Sequence, residues 1–382
     1  MAEVFLSYNE VISSMGFDTK SLIDGIEAGK HGLSLLKDAR LVEGQTYCSK
    51  INHEEVEKRF SAFDDPKQFT RLERLLILAI RSVLEQSGIR PDTRTGLIIS
   101  TTKGNIDVLD PANGFQADRA YLPALGKVIQ SYFDFKEDAV IISNACVSGI
   151  LALSVAKRFI NIEKYDQVIV CAGDLLSDFI LSGFNSFQAL SNEPCRPYCK
   201  NRKGINIGEL AAAVLVTKHK EGLAEEALRA LGTGSANDAN HISGPSRTGE
   251  GLFRSITSAM KESGLDASGI HYISAHGTAT DFNDNMEAIA FHRSGLGQCP
   301  LNSLKGYVGH TLGASGLMEA IVGMHSLNRN MLFSSLGFQE SGVSEEIAVI
   351  KETRSAELRT FLKTASGFGG VNTAAIFEKV KH

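Results

Sequence analysis

Three side chains in this sequence are of the kinds that together move acyl groups. Cys146 stands in AVIISNACVSGILALSVAKRFI, His276 in HYISAHGTAT, and His310 in LKGYVGHTLGASG, which also carries Lys305. A thiolate attacks a thioester and holds the acyl group as a new thioester. Two imidazoles donate to a developing oxyanion or accept a proton. Taken singly, each of these residues more often packs than reacts: cysteine is among the most buried residue types, and the chain holds ten histidines. The local settings therefore have to carry the reading.

Ala139 to Ile142 is wholly apolar and rich in β-branched residues, which predicts a strand covered on both faces of a parallel sheet. From Val147 the apolar residues fall at helical spacing (Ile150, Leu151, Val155, Phe159), with Lys157 and Arg158 late in the helix, where its dipole favours cations. A thiol at the first turn of that helix sits beside unsatisfied N–H groups and the positive dipole end, both of which favour the thiolate. The Cys146 N–H is itself placed to donate to an oxyanion.

Gln167 to Ala172 reads as the next strand, completing a β-α-β unit with a right-handed crossover and hence a parallel pair. Arg94 to Thr101 and Leu210 to Thr217 read as further strands, and Phe69 to Ser87 as an amphipathic helix stopped by Gly88. The charged stretch Lys218 to Glu226 marks a boundary. Beyond it the pattern begins again: a strand at Leu228 to Thr233, a helix at Gly251 to Ser263, a strand at His271 to Ala275 and a helix at Leu312 to Asn328. Phe361 to Ser366 and Thr373 to Phe377 close the chain as a strand pair joined by Gly367-Phe368-Gly369-Gly370. The expectation is an α/β protein of two like halves, 1–218 carrying the cysteine and 219–382 carrying both histidines. Ligands of open α/β sheets gather at the carboxyl ends of strands, where Cys146 and His276 both fall; His310 precedes a helix.

Composition excludes several classes. A net charge of −5 with no Lys/Arg-rich run argues against nucleic acid. No apolar stretch approaches the ~20 residues of a membrane span and the N-terminus lacks a leader pattern, so the expected location is the cytoplasm. Six cysteines without C-x-x-C predict reduced thiols, and Cys195, Cys199 and His219 match no zinc spacing, so no metal is expected. Gly232-x-Gly234 is too short for a dinucleotide fingerprint, and G-x-S-x-G is missing, which removes the nucleophile-elbow serine hydrolases.

SNACVSG, SAHGTATDFNDNMEA, LKGYVGHTLGASGLMEA and SGFGGVN, in this order and at these separations, resemble the β-ketoacyl-[acyl-carrier-protein] synthase family of the Cys-His-His type, over nearly the whole chain. The resemblance implies a thiolase fold, two α/β halves packed as five layers α-β-α-β-α. It also implies a homodimer, or a heterodimer with a second ketosynthase-like subunit. The implied reaction is decarboxylative condensation of an acyl thioester with a malonyl carrier, in fatty acid, polyene or polyketide synthesis. It makes Cys146 the acylated nucleophile, and His276 and His310 the groups that promote decarboxylation and hold the enolate oxygen. Lys305 and Glu287 become a buried pair beside them. The Cys146 and Phe368 amides become the oxyanion hole, with the Phe368 ring as a gate and Phe184 lining the acyl pocket. Thr278 and Thr280 match contacts to the phosphopantetheine arm of an acyl carrier protein, the one cofactor-like group expected, brought in by the substrate.

Departures from the family pattern are Ser366 before the GFGG turn, Leu210-Ala211-Ala212 after Gly208-Glu209, Cys199 for an Asp, and Gln188 for the Arg before A-L-S, a usual carrier contact. Lys67, Arg71 and Arg74, at i, i+4 and i+7, are the best local cationic cluster for an acidic carrier. Two other readings compete. A thiolase-like CoA acyltransferase would need a second cysteine near the C-terminus, and none lies beyond Cys299. A non-catalytic partner subunit is at odds with the intact Cys146, His276, His310 and Lys305.

Overall fold

The computed structural model describes residues 2–36, 45–239 and 244–380. Ten strands form the main sheet. In chain order they are β1 (Phe5–Ile12), β2 (Thr95–Ser100), β3 (Val140–Ile142), β4 (Gln167–Asp174), β5 (Leu210–Thr217), β6 (Leu228–Asn237), β7 (Tyr272–Ser274), β8 (Leu301–Asn302), β9 (Thr360–Gly367) and β10 (Val371–Lys379). The helices that cover it are α1 (Arg71–Ser87), α2 (Leu122–Tyr132), α3 (Ser148–Asn161), α4 (Glu250–Ser263), α5 (Asp281–Arg293) and α6 (Ser315–Arg329).

The spatial order is β8-β7-β9-β10-β6-β1-β5-β4-β2-β3. In the first half β1, β5 and β4 pair antiparallel, and β4, β2 and β3 pair parallel. In the second half β6, β10 and β9 pair antiparallel, and β9, β7 and β8 pair parallel. Each strand thus has its counterpart five strands later, and each helix three helices later. The seam is short: Phe5 and Leu6 pair with Arg229 and Leu228.

The alternation of side chains along each strand sets the layers. Leu97, Ile99, Ile169 and Ala213 point outward to a core with Leu72, Leu76 and Ile80 of α1 and Leu125 of α2. Ile98, Val170 and Val214, from the same strands, point inward to a second core built on Ile150 and Leu153 of α3 and Leu317 and Ile321 of α6. That core also receives Phe361 and Phe377 from the other half. Leu362 and Ile376 point outward again, to Leu252 and Ile256 of α4 and Phe291 of α5. The layers run helix, sheet, helix pair, sheet, helix. In the middle layer α3 and α6 touch backbone to backbone: a Cβ on Gly149 would lie 2.6 Å from the Leu317 nitrogen, and one on Gly316 would lie 2.9 Å from that of Ile150.

Local details refine the expectations. β3 pairs parallel with β2 alone among the described residues, so it is an edge strand, yet both its faces are packed: Val140 and Ile142 lie against the inner core and Ile141 against the outer one. Leu312–Ala314 is a separate 3₁₀ turn, so α6 begins later than apolar spacing suggested. Gly232 and Gly234 serve helix packing, since a Cβ on either would strike a carbonyl oxygen of α4 at 2.1 Å. All six cysteines are free and buried. No helix among the described residues is long and apolar enough to cross a membrane.

Candidate active site

Cys146 lies between β3 and α3, and His310 lies between β8 and α6, the equivalent crossover of the other half. Because α3 and α6 meet in the middle layer, the duplicated topology itself brings these two residues face to face: His310 Nε2 is 2.9 Å from Cys146 Sγ. His276 follows β7 by two residues, and its ring crosses that of His310 edge-on at 5.2 Å. All three side chains are buried.

Each is held by its own local structure. Before the cysteine, Ala145 takes φ +45°, a turn fixed by Ser148, whose hydroxyl donates to the Ala145 carbonyl at 2.7 Å and accepts the Asn144 N–H at 2.7 Å. His310 is pinned through its backbone, its N–H donating to the Asn206 carbonyl at 2.7 Å and its carbonyl accepting the Gly208 N–H at 2.9 Å. The His276 loop hangs on the first turns of α5: Glu287 accepts the His276 and Gly277 N–H groups, and Asp284 accepts that of Thr278.

Donors behind the rings fix their tautomers. The Leu312 N–H can only donate, and it points at His310 Nδ1 from 3.3 Å, so that nitrogen accepts and Nε2 carries the proton. Ser315 completes the arrangement, accepting the Thr311 N–H and donating to the same Nδ1 at 2.9 Å. The Lys305 ammonium, also only a donor, lies 3.3 Å from His276 Nδ1, which leaves the proton on Nε2 there too. Burial, the Lys305 charge and, more weakly, that of Lys363 push both imidazoles well below the ordinary histidine value. The site therefore holds two neutral Nε2–H donors.

The same geometry decides against a metal. Sγ and one nitrogen from each ring lie within 4.8 Å of one another, the one such trio among the described residues. A metal-bound imidazole donates its distal N–H to an acceptor. Here the distal nitrogens face donors, and a buried lysine adds like charge.

The thiol differs from the sequence expectation. Burial pushes Cys146 up to about 12, outweighing the cations Lys305 and Lys103. The helix end and the His310 N–H work against a desolvation cost that sequence could not show, so the resting group is the thiol.

Lys305 is fully buried, but its carboxylate is Glu319 of α6 at 2.9 Å, not Glu287. Glu287 instead holds the His276 loop and accepts the Tyr198 hydroxyl at 3.0 Å. Glu319 was missed, although a signal was available: it is the one acid in the otherwise apolar run Gly316 to Met324. Lys363, also missed, contacts the other Glu319 oxygen at 2.8 Å.

The three residues line a cavity of about 670 Å³, with Thr278, Thr280, Phe184 and Phe368 also on its wall. The two threonine hydroxyls are 2.8 Å apart. Phe368 lies against Phe184 and Phe187, ring centres 5.6 and 5.3 Å away, and is 38% exposed. A Cβ on Gly367 would come within 3.0 Å of the Cys146 nitrogen, so the turn passes directly beside that amide.

The cationic cluster does not form. Thr70 caps α1 in a capping box with Glu73, so Lys67 falls in the preceding 3₁₀ turn, Pro66–Gln68, and leaves the helical face. Arg71 forks onto buried Glu209 at 2.6 and 2.7 Å, and Arg74 is itself buried. Lys67 alone stays exposed.

A buried thiol with two imidazole donors, set at the meeting of two duplicated α/β halves, defines a condensing acyltransferase of the thiolase fold. The chain belongs to the β-ketoacyl synthase family: residues 12–222 match its N-terminal domain and residues 229–339 its C-terminal domain. A 3-oxoacyl-[acyl-carrier-protein] synthase 2 from Rhizobium meliloti is 27% identical, over 89% of this chain and 94% of its own. The ketoacyl synthase alpha subunit of tetracenomycin polyketide synthase from Streptomyces glaucescens is 25% identical, over 96% and 94%. Among solved structures, a ketosynthase in complex with its chain length factor from Xenorhabdus doucetiae superposes with a TM-score of 0.87 at 24% identity, covering 99% of this chain and 98% of that one. The ishigamide ketosynthase/chain length factor reaches 0.89 at 22% identity, over the full length of both chains.

Proposed function

We propose that the protein condenses an acyl thioester with malonyl-[acyl-carrier-protein], losing CO₂ and giving a 3-oxoacyl-[acyl-carrier-protein] two carbons longer. The observation that carries this is the convergence of one thiol and two Nε2–H donors on the wall of one cavity. Cys146 sulfur attacks the acyl thioester, and the carrier thiol leaves with the proton. A malonyl thioester then enters, and its bond to CO₂ breaks. The electron pair passes into an enolate whose oxygen takes the two imidazole N–H bonds. The enolate carbon attacks the acyl carbonyl, the tetrahedral oxyanion accepts from the Cys146 and Phe368 amides, and collapse expels the Cys146 thiolate. Neutral donors suit this reaction, because they gain most where negative charge develops in a dry site.

No permanently bound cofactor is needed; the carrier's phosphopantetheine arm runs past Thr278 and Thr280. The partners are an acidic acyl carrier protein, met by Lys67 and by Lys203 at the cavity rim, and a ketosynthase-like subunit, a second copy or a relative. The open edge of β3, with half-exposed Val140, Ile141 and Ile142, supports strand pairing with that subunit.

The test is reconstitution with acyl- and malonyl-carrier thioesters, following CO₂ release and the mass of the carrier product. A product two carbons longer is expected; hydrolysis alone would reject condensation. Phe368→Ala removes the ring that closes against Phe184 and Phe187, and discrimination among acyl lengths is expected to fall by roughly tenfold. Unchanged selectivity in competition assays would contradict a gate.

A further inference from the structure

Lys363 has no part in the steps above, yet it is fully buried in the middle of β9, beside the residues that perform them. Its ammonium donates to the carbonyls of Ser274 at 3.1 Å, Ala275 at 3.3 Å and Thr364. Three protons meet three carbonyls, with no donor among these contacts, which is the arrangement of a charged ammonium rather than an amine. Ser274 and Ala275 are the two residues before His276. Glu319 Oε2 approaches at 2.8 Å without forming a hydrogen bond, so that contact is one of charge. The other Glu319 oxygen holds Lys305, which in turn faces His276 Nδ1. One carboxylate thus joins two lysines in a site closed to water.

We propose that Lys363 is a positioning residue for the condensation: it fixes the strand end that carries His276 and, through Glu319, clamps Lys305 against the His276 ring, holding that ring as a neutral Nε2–H donor. This rests on the condensing reading above. The charged groups facing Lys363 are Glu319 from α6, Lys305 from the turn before it, and Glu287 from α5, with His276 and His310 beyond them. Lys305 alone cannot do both tasks. Its three protons are spent on Glu319, the His276 carbonyl and the His276 ring, so without Lys363 half of Glu319 is left uncompensated and free to draw Lys305 off the imidazole.

The sign follows. Removing Lys363 takes away a cation that resists protonation of both rings and exposes them to more of the Glu319 charge. Lys363→Met is therefore expected to move the acid limb of malonyl decarboxylation upward by about one pH unit, an extra loss that approaches roughly tenfold once the pH is below both limbs and vanishes at neutral pH. Lys363→Arg, which keeps the charge, should retain the wild-type limb even if its rate is lower. Nitrogen-15 histidine NMR reads the rings directly. Wild type should show His276 protonated at Nε2 alone, and Lys363→Met a mixture of tautomers or a titrating ring. If Lys363→Met does not fold, Glu319→Gln is read by the same spectrum, with loss of the single tautomer expected. Folded variants with the wild-type limb and ring spectrum overturn the proposal. The spectra need no turnover, so a wild type that fails to decarboxylate malonyl thioesters refutes the condensing reading while the rings still decide on Lys363.

Discussion

Cys146→Ala is expected to abolish condensation, by at least ~10⁴-fold, while malonyl decarboxylation stays within about tenfold of wild type. The two half-reactions use different atoms. Acyl capture requires Sγ, and Cys146 is the one cysteine among the residues that line the cavity: Cys171 is buried within β4, Cys195 donates to the Lys305 carbonyl and Cys299 to that of Ile270. Decarboxylation requires the Nε2–H donors, whose orientation comes from Lys305, Leu312 and Ser315 behind the rings and not from the thiol. Intact-mass analysis of wild type with an acyl carrier thioester checks the first claim, and CO₂ release from the variant checks the second. Acyl label on Cys171 or Cys299 would remove Cys146 from the mechanism.

His276→Ala and His310→Ala should each lower decarboxylation by on the order of 10²-fold or more, the usual cost of losing one preorganised donor to an oxyanion. They should part in the acylation step. Only the His310 ring reaches Sγ, and the thiol it faces is pushed up to about 12 by burial. His310→Ala therefore slows acylation of Cys146 as well, whereas His276→Ala leaves it near wild type. Equal acylation rates in the two variants would show that the 2.9 Å contact does nothing for the nucleophile. The rings also set an acid limit on stability. Their folded values lie below the unfolded one, so the unfolded chain takes up protons first; stability is full above about pH 6.5 and is lost as the pH falls below it. Replacing both rings with glutamine should flatten that part of a stability-against-pH curve.

Much of this site is legible in the sequence because its parts sit where local pattern changes. Cys146 and His276 stand at strand ends, and four motifs in fixed order carry the family resemblance. Pairings between distant side chains were not legible. Glu287 and Glu319 both stand in a Met-Glu-Ala step of a helix, and only the packing of α6 against the Lys305 turn selects Glu319. Arg71 and Arg74 had the spacing of an exposed face, but Glu209, 138 residues from Arg71, turned that face inward. The apolar strand before Cys146 reads correctly as covered on both faces; its place at the sheet edge depends on strand order, which periodicity does not encode. The thiol's resting state depended on depth of burial, again a property of the whole fold.

The backbone contact between α3 and α6 makes the active site a gauge of its own architecture. Gly149 and Gly316 allow the two halves to touch with no side chain between them to absorb a displacement. Sγ sits two residues before one helix and Nε2 five residues before the other, so any sliding of one half over the other appears undamped in the sulfur–nitrogen gap. Thiol alkylation rate thereby becomes a strain meter. Pressure, cold or docking of a neighbouring subunit should alter Cys146 reactivity at doses too small to change secondary structure.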